Sequence, residues 1–274
     1  MRISVTTLES FRLWRDYSWK PEAELIATIK GQFEPTPRVL LGRAYGRVLE
    51  APDVYRTDAG YECGHYRFER DAIDPALAAI DARAAAAGCP DRGLFEVKAT
   101  RRYGAHTVVA KADHVAGAVV DEFKTRVGSY HIDRYLESYQ WRLMADLFQP
   151  AWLEYLVFVL TEAPVALVDV QSSGRLFPYP RLHDDCHALV EEFVAYVYRR
   201  DLAAWLPDVV EPVLPPTRAV VDLMAGPAFV DAPTRAARPA PRHLRELRRP
   251  QIVRLDIGAA PRPRVPAMRE GRLF

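Results

Sequence analysis

Three consecutive runs of strand-forming residues constrain the fold more than any other feature of the chain. They cover residues 94–102, 106–114 and 117–124, and they are separated by Gly104 and by Ala116-Gly117. Runs of this kind joined by such short turns are typical of an antiparallel meander. The sequence therefore predicts a sheet in which these three strands are neighbours.

Helical patterns lie on both sides of the predicted meander. Thr6 and Glu9 have the spacing of a capping box and predict the start of a first helix. Apolar residues at helical spacing predict helices over 36–50, 71–87, 130–148 (capped by Ser129) and 181–206, and two further strands over 152–160 and 165–171. This order predicts an α/β fold, in the form of an α+β sandwich with a central mixed β-sheet flanked by helices.

The composition of the chain changes near residue 207. Residues 217–274 contain twelve arginines, five acidic residues and eight prolines. That balance is typical of an extended, weakly structured basic segment. We predict a folded domain over 1–206 and a basic C-terminal arm over 207–274. Such an arm can bind DNA phosphates, dock on a partner or stay disordered, and composition does not distinguish these roles.

The overall composition indicates a protein of the cytoplasm. The formal net charge of +1 indicates neither a polyanionic nor a membrane partner. The longest apolar run, 152–160, contains Glu154 and is too short to cross a membrane. The N-terminus lacks the apolar block of a signal peptide. Cys63, Cys89 and Cys186 form neither a closed disulfide framework nor a zinc module, so we expect a reduced setting.

The second turn of the meander predicts a cluster of charged side chains. Residues two apart in a strand share a face, so Glu122 and Lys124 project together. With the turn at Ala116-Gly117, Asp113 on the preceding strand shares that face. A shift of one residue would instead place Asp121 beside Asp113 and turn Glu122 away. We favour Glu122, because the carboxylate has to share the face of Lys124.

Two carboxylates and a lysine at the end of a sheet suit phosphodiester hydrolysis. Carboxylates can hold a divalent ion, which polarises the phosphate and lowers the pKa of bound water. Hard oxygen ligands favour Mg²⁺ or Mn²⁺. A neighbouring lysine can orient the attacking water and offset developing negative charge. The alternative is that Asp113 is a turn residue and that Glu122 and Lys124 face solvent, but the apolar residues 119–120 indicate a central strand.

Several motifs in this order resemble a known nuclease superfamily. Asp113 followed by Glu122-Phe123-Lys124 resembles the D…(D/E)-x-K core of the PD-(D/E)XK nucleases. The segment 40–50, LLGRAYGRVLE, resembles the helix of RecB-type and phage-type members that ends in a glutamate. The segment 138–148, SYQWRLMADLF, resembles their helix with a Q-x-x-x-Y motif. The resemblance runs from about residue 3 to 160 and is to the RecB-type and phage lambda-type exonuclease branch.

The resemblance implies a restriction-endonuclease-like core and a set of site residues. It implies one or two Mg²⁺ (or Mn²⁺) ions held by Glu50, Asp113, Glu122 and the backbone carbonyl of Phe123. Lys124 would position the attacking water, and Gln140 would contact the substrate phosphate or steady the metal-bound water. These residues match the motif positions of the family.

The resemblance also implies a function and partners. It implies an exonuclease that hydrolyses DNA from its ends in recombination or repair and leaves a 5′-phosphate. A single-strand annealing protein or a helicase would be its partner, and the chain would form a ring-shaped homo-oligomer. Two alternatives remain: a non-catalytic DNA-binding or assembly module of the same fold, and a defence endonuclease acting on circular DNA.

The sequence departs from the family pattern at three positions. Gly46 stands where RecB-type members often have histidine, which favours an all-carboxylate site. Met144 replaces the tyrosine of Q-x-x-x-Y, and Lys111 replaces a glycine near the start of the aspartate strand. Three scattered cysteines cannot supply the four ligands of the iron–sulfur branch, so we expect no iron–sulfur cluster.

A few other polar residues have a functional and a structural interpretation. His183 and His187 lie four apart, a spacing that can bind zinc, but they lack the H-E-x-x-H order and we favour a polar helix start. His114 should face away from Asp113 and is interpreted as structural. Ser138 and Arg142 are suited either to phosphate contact or to a solvated helix surface.

Overall fold

A six-stranded mixed β-sheet forms the centre of the molecule. The computed structural model describes residues 1–17, 19–89, 91–128, 132–161 and 164–206. The predicted basic arm over 207–274 and the predicted cap Ser129 lie outside the described residues.

The described chain alternates between helices and strands. The strands are β1 (Arg2–Ser4), β2 (Tyr61–Cys63), β3 (Tyr66–Phe68), β4 (Leu94–Tyr103), β5 (His106–Ala116), β6 (Val119–Val127), β7 (Trp152–Leu160) and β8 (Leu167–Ser172). The helices are α1 (Val5–Asp16), α2 (Glu22–Ile29), α3 (Pro37–Glu50), α4 (Pro52–Tyr55), α5 (Arg70–Ala86), α6 (Asp133–Leu136), α7 (Tyr139–Phe148) and α8 (Leu182–Arg199), followed by a 3₁₀ turn at Ala203–Trp205. Among the helices described here, none has both the length and the apolar character needed to cross a bilayer.

The sheet is organised around β5. Strand β4 pairs antiparallel with one edge of β5 along nearly its whole length. The other edge is shared, because β1 pairs with it in parallel at 107–109 and β6 pairs with it antiparallel at 114–116. Beyond β6, strand β7 is parallel and β8 is antiparallel. The meander of β4, β5 and β6 and the central mixed sheet are confirmed.

Helices cover both faces of the sheet. On one face, α1, α2, α7 and α8 bury a core that includes Phe11, Trp141 and Phe193. On the other, α3, α5 and the β2–β3 hairpin bury a second core around Tyr45 and Phe158. Burial of large apolar side chains on both faces is the dominant favourable contribution to such a sandwich. The α/β sandwich with helices flanking the sheet is therefore confirmed.

The predicted start of the first helix was wrong. Helix α1 begins at Val5, and the hydroxyl of Ser4 accepts a hydrogen bond from the backbone N–H of Thr7 (3.0 Å). Ser4 also ends β1, so the chain passes directly from a sheet strand into the helix. The side chain of Glu9 instead accepts the backbone N–H of Tyr139 at the start of α7 (2.8 Å).

The predicted helix over 130–148 is two helices. Ser138 is extended (φ −61°, ψ 138°), and its hydroxyl accepts the backbone N–H of Gln140 (2.9 Å). This cap starts α7 as a separate helix, because an N-cap residue has non-helical backbone angles. The helix predicted over 181–206 is also shorter, since α8 ends at Arg199. Helices over 36–50 and 71–87 agree with α3 and α5 to within one residue.

Close packing of α3 against β6 depends on one glycine. A Cβ atom at Gly42 would lie 2.3 Å from Oγ1 of Thr125 in β6, far inside van der Waals contact. Gly46 differs, since a Cβ there would meet only the Glu50 carboxylate at 3.9 Å. The close approach at Gly42 therefore brings the C-terminal end of α3 next to the strand that carries Glu122 and Lys124.

Candidate active site

The candidate site lies where β6 separates from β5, and we call this point the fork. The ladder between the two strands comprises only three pairs and ends at His114–Asp121. From Glu122 onward, β6 remains paired with β7. At the fork, Oδ2 of Asp113 accepts the backbone N–H of Phe123 (2.8 Å), so a side chain takes the place of the strand pairing. Asp113 and Glu122 therefore face a gap in the sheet.

The structure brings Glu122, Lys124 and Gln140 into direct contact. Oε2 of Glu122 accepts hydrogen bonds from the Lys124 ammonium group (3.2 Å) and from the Gln140 amide (2.7 Å). The hairpin turn is at 117–118, whereas the sequence suggested Ala116-Gly117. This moves the register by two residues, so the face shared by Asp113, Glu122 and Lys124 is unchanged.

The alternative register is excluded by the position of Asp121. Its carboxylate is 1% exposed and accepts from His114 Nδ1 (2.9 Å) and from Arg83 (2.7 Å), on the sheet face opposite Glu122. Arg83 also donates to Glu154 on β7 (2.6 Å). We call these four residues the reverse-face network. His114 has the structural position that the sequence predicted.

Glu50 approaches the fork from the other side of the sheet. It is the last residue of α3, and it lines the same cavity as Asp113 and Lys124. Partial burial, together with the nearby carboxylates of Glu96 and Asp113, raises its pKa to about 7. Four carboxylates thus surround the fork, with Glu50 in one cavity and Glu122 in a neighbouring one.

Glu96 is the residue at this site that the sequence analysis missed. It has a left-handed backbone (φ 56°) in the middle of β4, an uncommon conformation for a residue other than glycine. Its carboxylate pairs with Lys111, and no ladder pair joins it to Asp113 across the strands. Backbone strain of this kind is concentrated at functional sites.

A signal for Glu96 was present in the sequence. Leu94 and Val97 pack in the same core although they lie three residues apart, and Ala112 and Val115 do the same on β5. Regular strands place residues two apart on one face. The alternation of side chains between the two faces is therefore interrupted by one residue on both strands, at Glu96 and Asp113, while the pairing register is kept. The apolar spacing of β4 therefore indicated an irregularity at this position.

Burial and mutual repulsion dominate the electrostatics of the site. Desolvation and the nearby Asp113 raise the pKa of Glu122 to about 8, and desolvation also raises the pKa of Asp113. Burial opposes the charge on Lys124, but Glu122 and Asp113 outweigh it and raise the pKa of the amine. The site therefore holds a charged amine and an excess of carboxylates that repel one another.

The donor set suits a hard divalent cation. Oε1 of Glu122 is buried and has no hydrogen-bond partner among the described residues, which is costly unless another group occupies that direction. Carboxylate and carbonyl oxygens are the ligands that Mg²⁺ and Mn²⁺ prefer. Within the described residues, no three acidic, histidine or cysteine side chains already form a metal-binding group. The carboxylates would have to close around an ion.

Two cavities meet at the fork. The larger, which we call the main cleft, has a volume of about 890 Å³. Its basic lining residues are Arg38, Arg43 and Arg47 of α3, Arg126 of β6, Arg134 of α6, Lys111 and Lys124. The smaller, the side pocket, has a volume of about 380 Å³ and contains Glu122 and Gln140. Asp113 and Lys124 line both, so an acidic centre lies at the end of an arginine-rich cleft.

The other candidate residues have structural contacts. Nδ1 of His183 contacts the Asp146 carboxylate (2.9 Å), and Nε2 of His187 lies 3.4 Å from Glu191. Ser138 is buried and caps α7, so it is not a phosphate contact. Arg142 donates to the backbone carbonyls of 137 and 138. The cysteines at 63, 89 and 186 are unpaired.

Comparison with known proteins gives distant likenesses only. The sequence matches no protein-family model and no curated protein. A candidate exonuclease from Eubacterium rectale aligns with 82% of this chain and 93% of its own at 14% identity, with a TM-score of 0.44. The protein SSO0001 aligns with 71% of this chain and 76% of its own at 14% identity, with a TM-score of 0.38. Likenesses this distant carry nothing about the chemistry of the site, which rests on its own residues.

Proposed function

We propose that this protein is a metal-dependent nuclease that hydrolyses phosphodiester bonds in DNA. The observation that carries the proposal is the ion pair between the buried Glu122 and the partly exposed Lys124 beside Asp113, at the end of a cleft lined by arginines. Arginine clusters bind phosphate backbones without regard to sequence. The carboxylates at the cleft end would repel phosphate, so they favour a bound cation between protein and substrate.

Each site residue has a role in this proposal. Glu50, Asp113, Glu122 and the Phe123 carbonyl would hold Mg²⁺ or Mn²⁺. A bound divalent ion would polarise the scissile phosphate and offset its charge. Lys124 would orient the attacking water and stabilise negative charge on the phosphorane. Gln140 holds Oε2 of Glu122 and would keep that carboxylate oriented.

The type of nuclease, its partner and its oligomeric state are proposed from the family resemblance and not from the residues of the cleft. We propose an exonuclease of the RecB-type or phage lambda-type branch, working with a single-strand annealing protein or a helicase, and forming a homo-oligomer. A non-catalytic DNA-binding module is less favoured, because it has no need of mutually repelling carboxylates in the cleft that its arginines line. A defence endonuclease would use the same centre and differs in its substrate.

The proposal is tested by degradation of linear and closed-circular duplex DNA in Mg²⁺ or Mn²⁺, with EDTA as the metal-free control. We expect loss of linear DNA, no nicking of circles, and no activity in EDTA. The variant Glu122→Gln should be inactive, whereas Glu24→Gln, an exposed carboxylate outside both cavities, should match the wild type. Nicking of circles would indicate an endonuclease. No cleavage with either metal would refute the nuclease assignment.

The raised pKa values predict that metal binding strengthens with pH. Glu50 and Glu122, with pKa values of about 7 and about 8, are largely protonated at pH 6 and have to lose protons to bind a cation. We expect the affinity for Mg²⁺ or Mn²⁺ to rise about tenfold or more between pH 6 and pH 9, with proton release on binding. Calorimetry in buffers of different ionisation enthalpy measures both. An affinity that is constant over this range would contradict the prediction.

A further inference from the structure

The ammonium group of Lys124 lies against the ring of Tyr155, a residue to which the family resemblance assigns no role. Its Nζ is 5.5 Å from the ring centroid of Tyr155 on β7. Tyr155 pairs directly with Glu122 across the β6–β7 ladder, and its side chain is fully buried. A cation over the face of a desolvated ring is attracted by the electron density of the ring. Tyr155 thus lies next to both members of the Lys124–Glu122 ion pair.

The ring of Tyr155 acts through its face and not through its hydroxyl. The hydroxyl is buried beside Ser138 but makes no hydrogen bond of ordinary geometry to any described residue. A buried tyrosine hydroxyl usually has a partner, so this one contributes little to holding the ring in place. Packing does so instead, because the Tyr135 ring lies against it with a centroid distance of 4.9 Å.

A second cation–aromatic pair lies two residues further along β6. The Arg126 guanidinium is 5.5 Å from the ring centroid of Tyr135, and its Nε donates to the Tyr135 hydroxyl (2.7 Å). Arg126 and Lys124 project from the same face of β6 because they lie two residues apart. Arg126 lines only the main cleft, whereas Lys124 contacts Glu122. The two pairs are chemically alike but lie at different parts of the cleft.

We propose that Tyr155 is a positioning residue that holds Lys124 against Glu122. Without the ring, the flexible lysine side chain could turn away from Glu122 and toward Asp113, and its ammonium group would lose its fixed position beside the Glu122 carboxylate. The face of the ring accepts no conventional hydrogen bond, so it does not compete with Oε2 of Glu122 for the Lys124 N–H groups. The ring therefore restricts the position of the ammonium group and leaves its hydrogen bond to Glu122 intact. The inference rests on the proposed function for its kinetic consequence, but not for the geometry.

The kinetic test compares Tyr155→Phe, Tyr155→Leu and the control Arg126→Ala in the full-length protein. Tyr155→Phe keeps the ring and should retain most of the wild-type turnover. Tyr155→Leu should lower kcat about tenfold with little change in KM for DNA, as expected for losing a partly desolvated cation–aromatic contact. Arg126→Ala should mainly raise KM, because it removes a cation of the main cleft and leaves both tyrosine rings in place. Equal losses in Tyr155→Phe and Tyr155→Leu would overturn the proposal.

A second measurement separates this inference from the nuclease assignment. In the metal-free protein, the ring current of Tyr155 should shift the NMR signals of the Lys124 side-chain methylene groups upfield. The shift should persist in Tyr155→Phe and disappear in Tyr155→Leu, whether or not the protein cleaves DNA. If Tyr155→Leu does not fold, Tyr155→Met serves in its place, because its longer, unbranched side chain adapts to the space left by the ring. Lys124 signals that are unchanged without the ring would refute the positioning role.

Discussion

Replacing Lys124 by alanine should lower the rate of DNA cleavage by a factor of about 10² to 10⁴, the range expected for losing one positioned proton-transfer or charge-stabilising group. The ammonium group is the one basic group that contacts Glu122, as far as the described residues show. The arginines of the main cleft remain in the variant, so the affinity for DNA should change little. A fall in kcat without a rise in KM is the expected kinetic result.

The matched control for this prediction is Lys30→Ala. Lys30 also lies over an aromatic ring, 5.1 Å from the ring centroid of Trp205, but outside both cavities. Its loss removes a similar cation–aromatic contact and should leave cleavage unchanged. Thermal unfolding of both variants shows whether the fold is intact. Cleavage by Lys124→Ala within tenfold of the wild type would disprove the role assigned to the lysine.

The charged face of the hairpin could be predicted because strand alternation has a period of two. The turn position was wrong by one residue, which displaced the register by two residues. A displacement by two leaves every side chain on its original face, so Asp113, Glu122 and Lys124 remained together. A displacement by one would have exchanged Glu122 for Asp121. The face is thus a more secure prediction than the register itself.

The break between α6 and α7 could not be read from apolar spacing. Leu136 and Trp141 contribute to the same side of the molecule from two different helices, so the helical pattern continues through the break. Ser138 caps α7 with its own hydroxyl. A serine at this position is compatible with either a new helix start or one continuous helix, so the sequence did not distinguish the two. Strand β1 was missed for another reason, since three residues form a strand here only by pairing with 107–109.

The convergence of the site depends on contacts that are distant in sequence. Glu50 was placed at a helix end by its periodicity, but only the family resemblance indicated that it belonged to the site. The close approach of Gly42 to Thr125 brings that helix end to the fork. Glu96 enters the site because two strands slip together, and a slip in one strand is hard to recognise without its partner.

Loss of Asp121 should destabilise the fold by about 3–5 kcal/mol, the range for removing one member of a buried ion pair. Asp121→Ala leaves Arg83 facing Glu154 alone and leaves Nδ1 of His114 without its carboxylate. Burial alone would raise the pKa of Asp121, but the hydrogen bond from His114 and the charge of Arg83 lower it below its ordinary value. A lowered pKa stabilises the fold at pH values above the unfolded-state pKa, and this stabilisation is lost as the pH falls through the folded-state pKa.

The ionisation of the adjacent Glu122 should have the opposite effect on the stability of the fold. Its pKa is raised to about 8, so the ionised form destabilises the metal-free fold as the pH rises toward and through that value. In EDTA at pH 8.5, Glu122→Gln should therefore raise the Tm, whereas Asp121→Ala should lower it. Near pH 5, where Glu122 is already protonated, Glu122→Gln should leave the Tm unchanged and Asp121→Ala should still lower it. Thermal unfolding at the two pH values measures this contrast. If both substitutions lowered the Tm equally, Glu122 would stabilise the fold as Asp121 does. That result would contradict the assignment of stability to the Asp121 face of β6 and of chemistry to the Glu122 face.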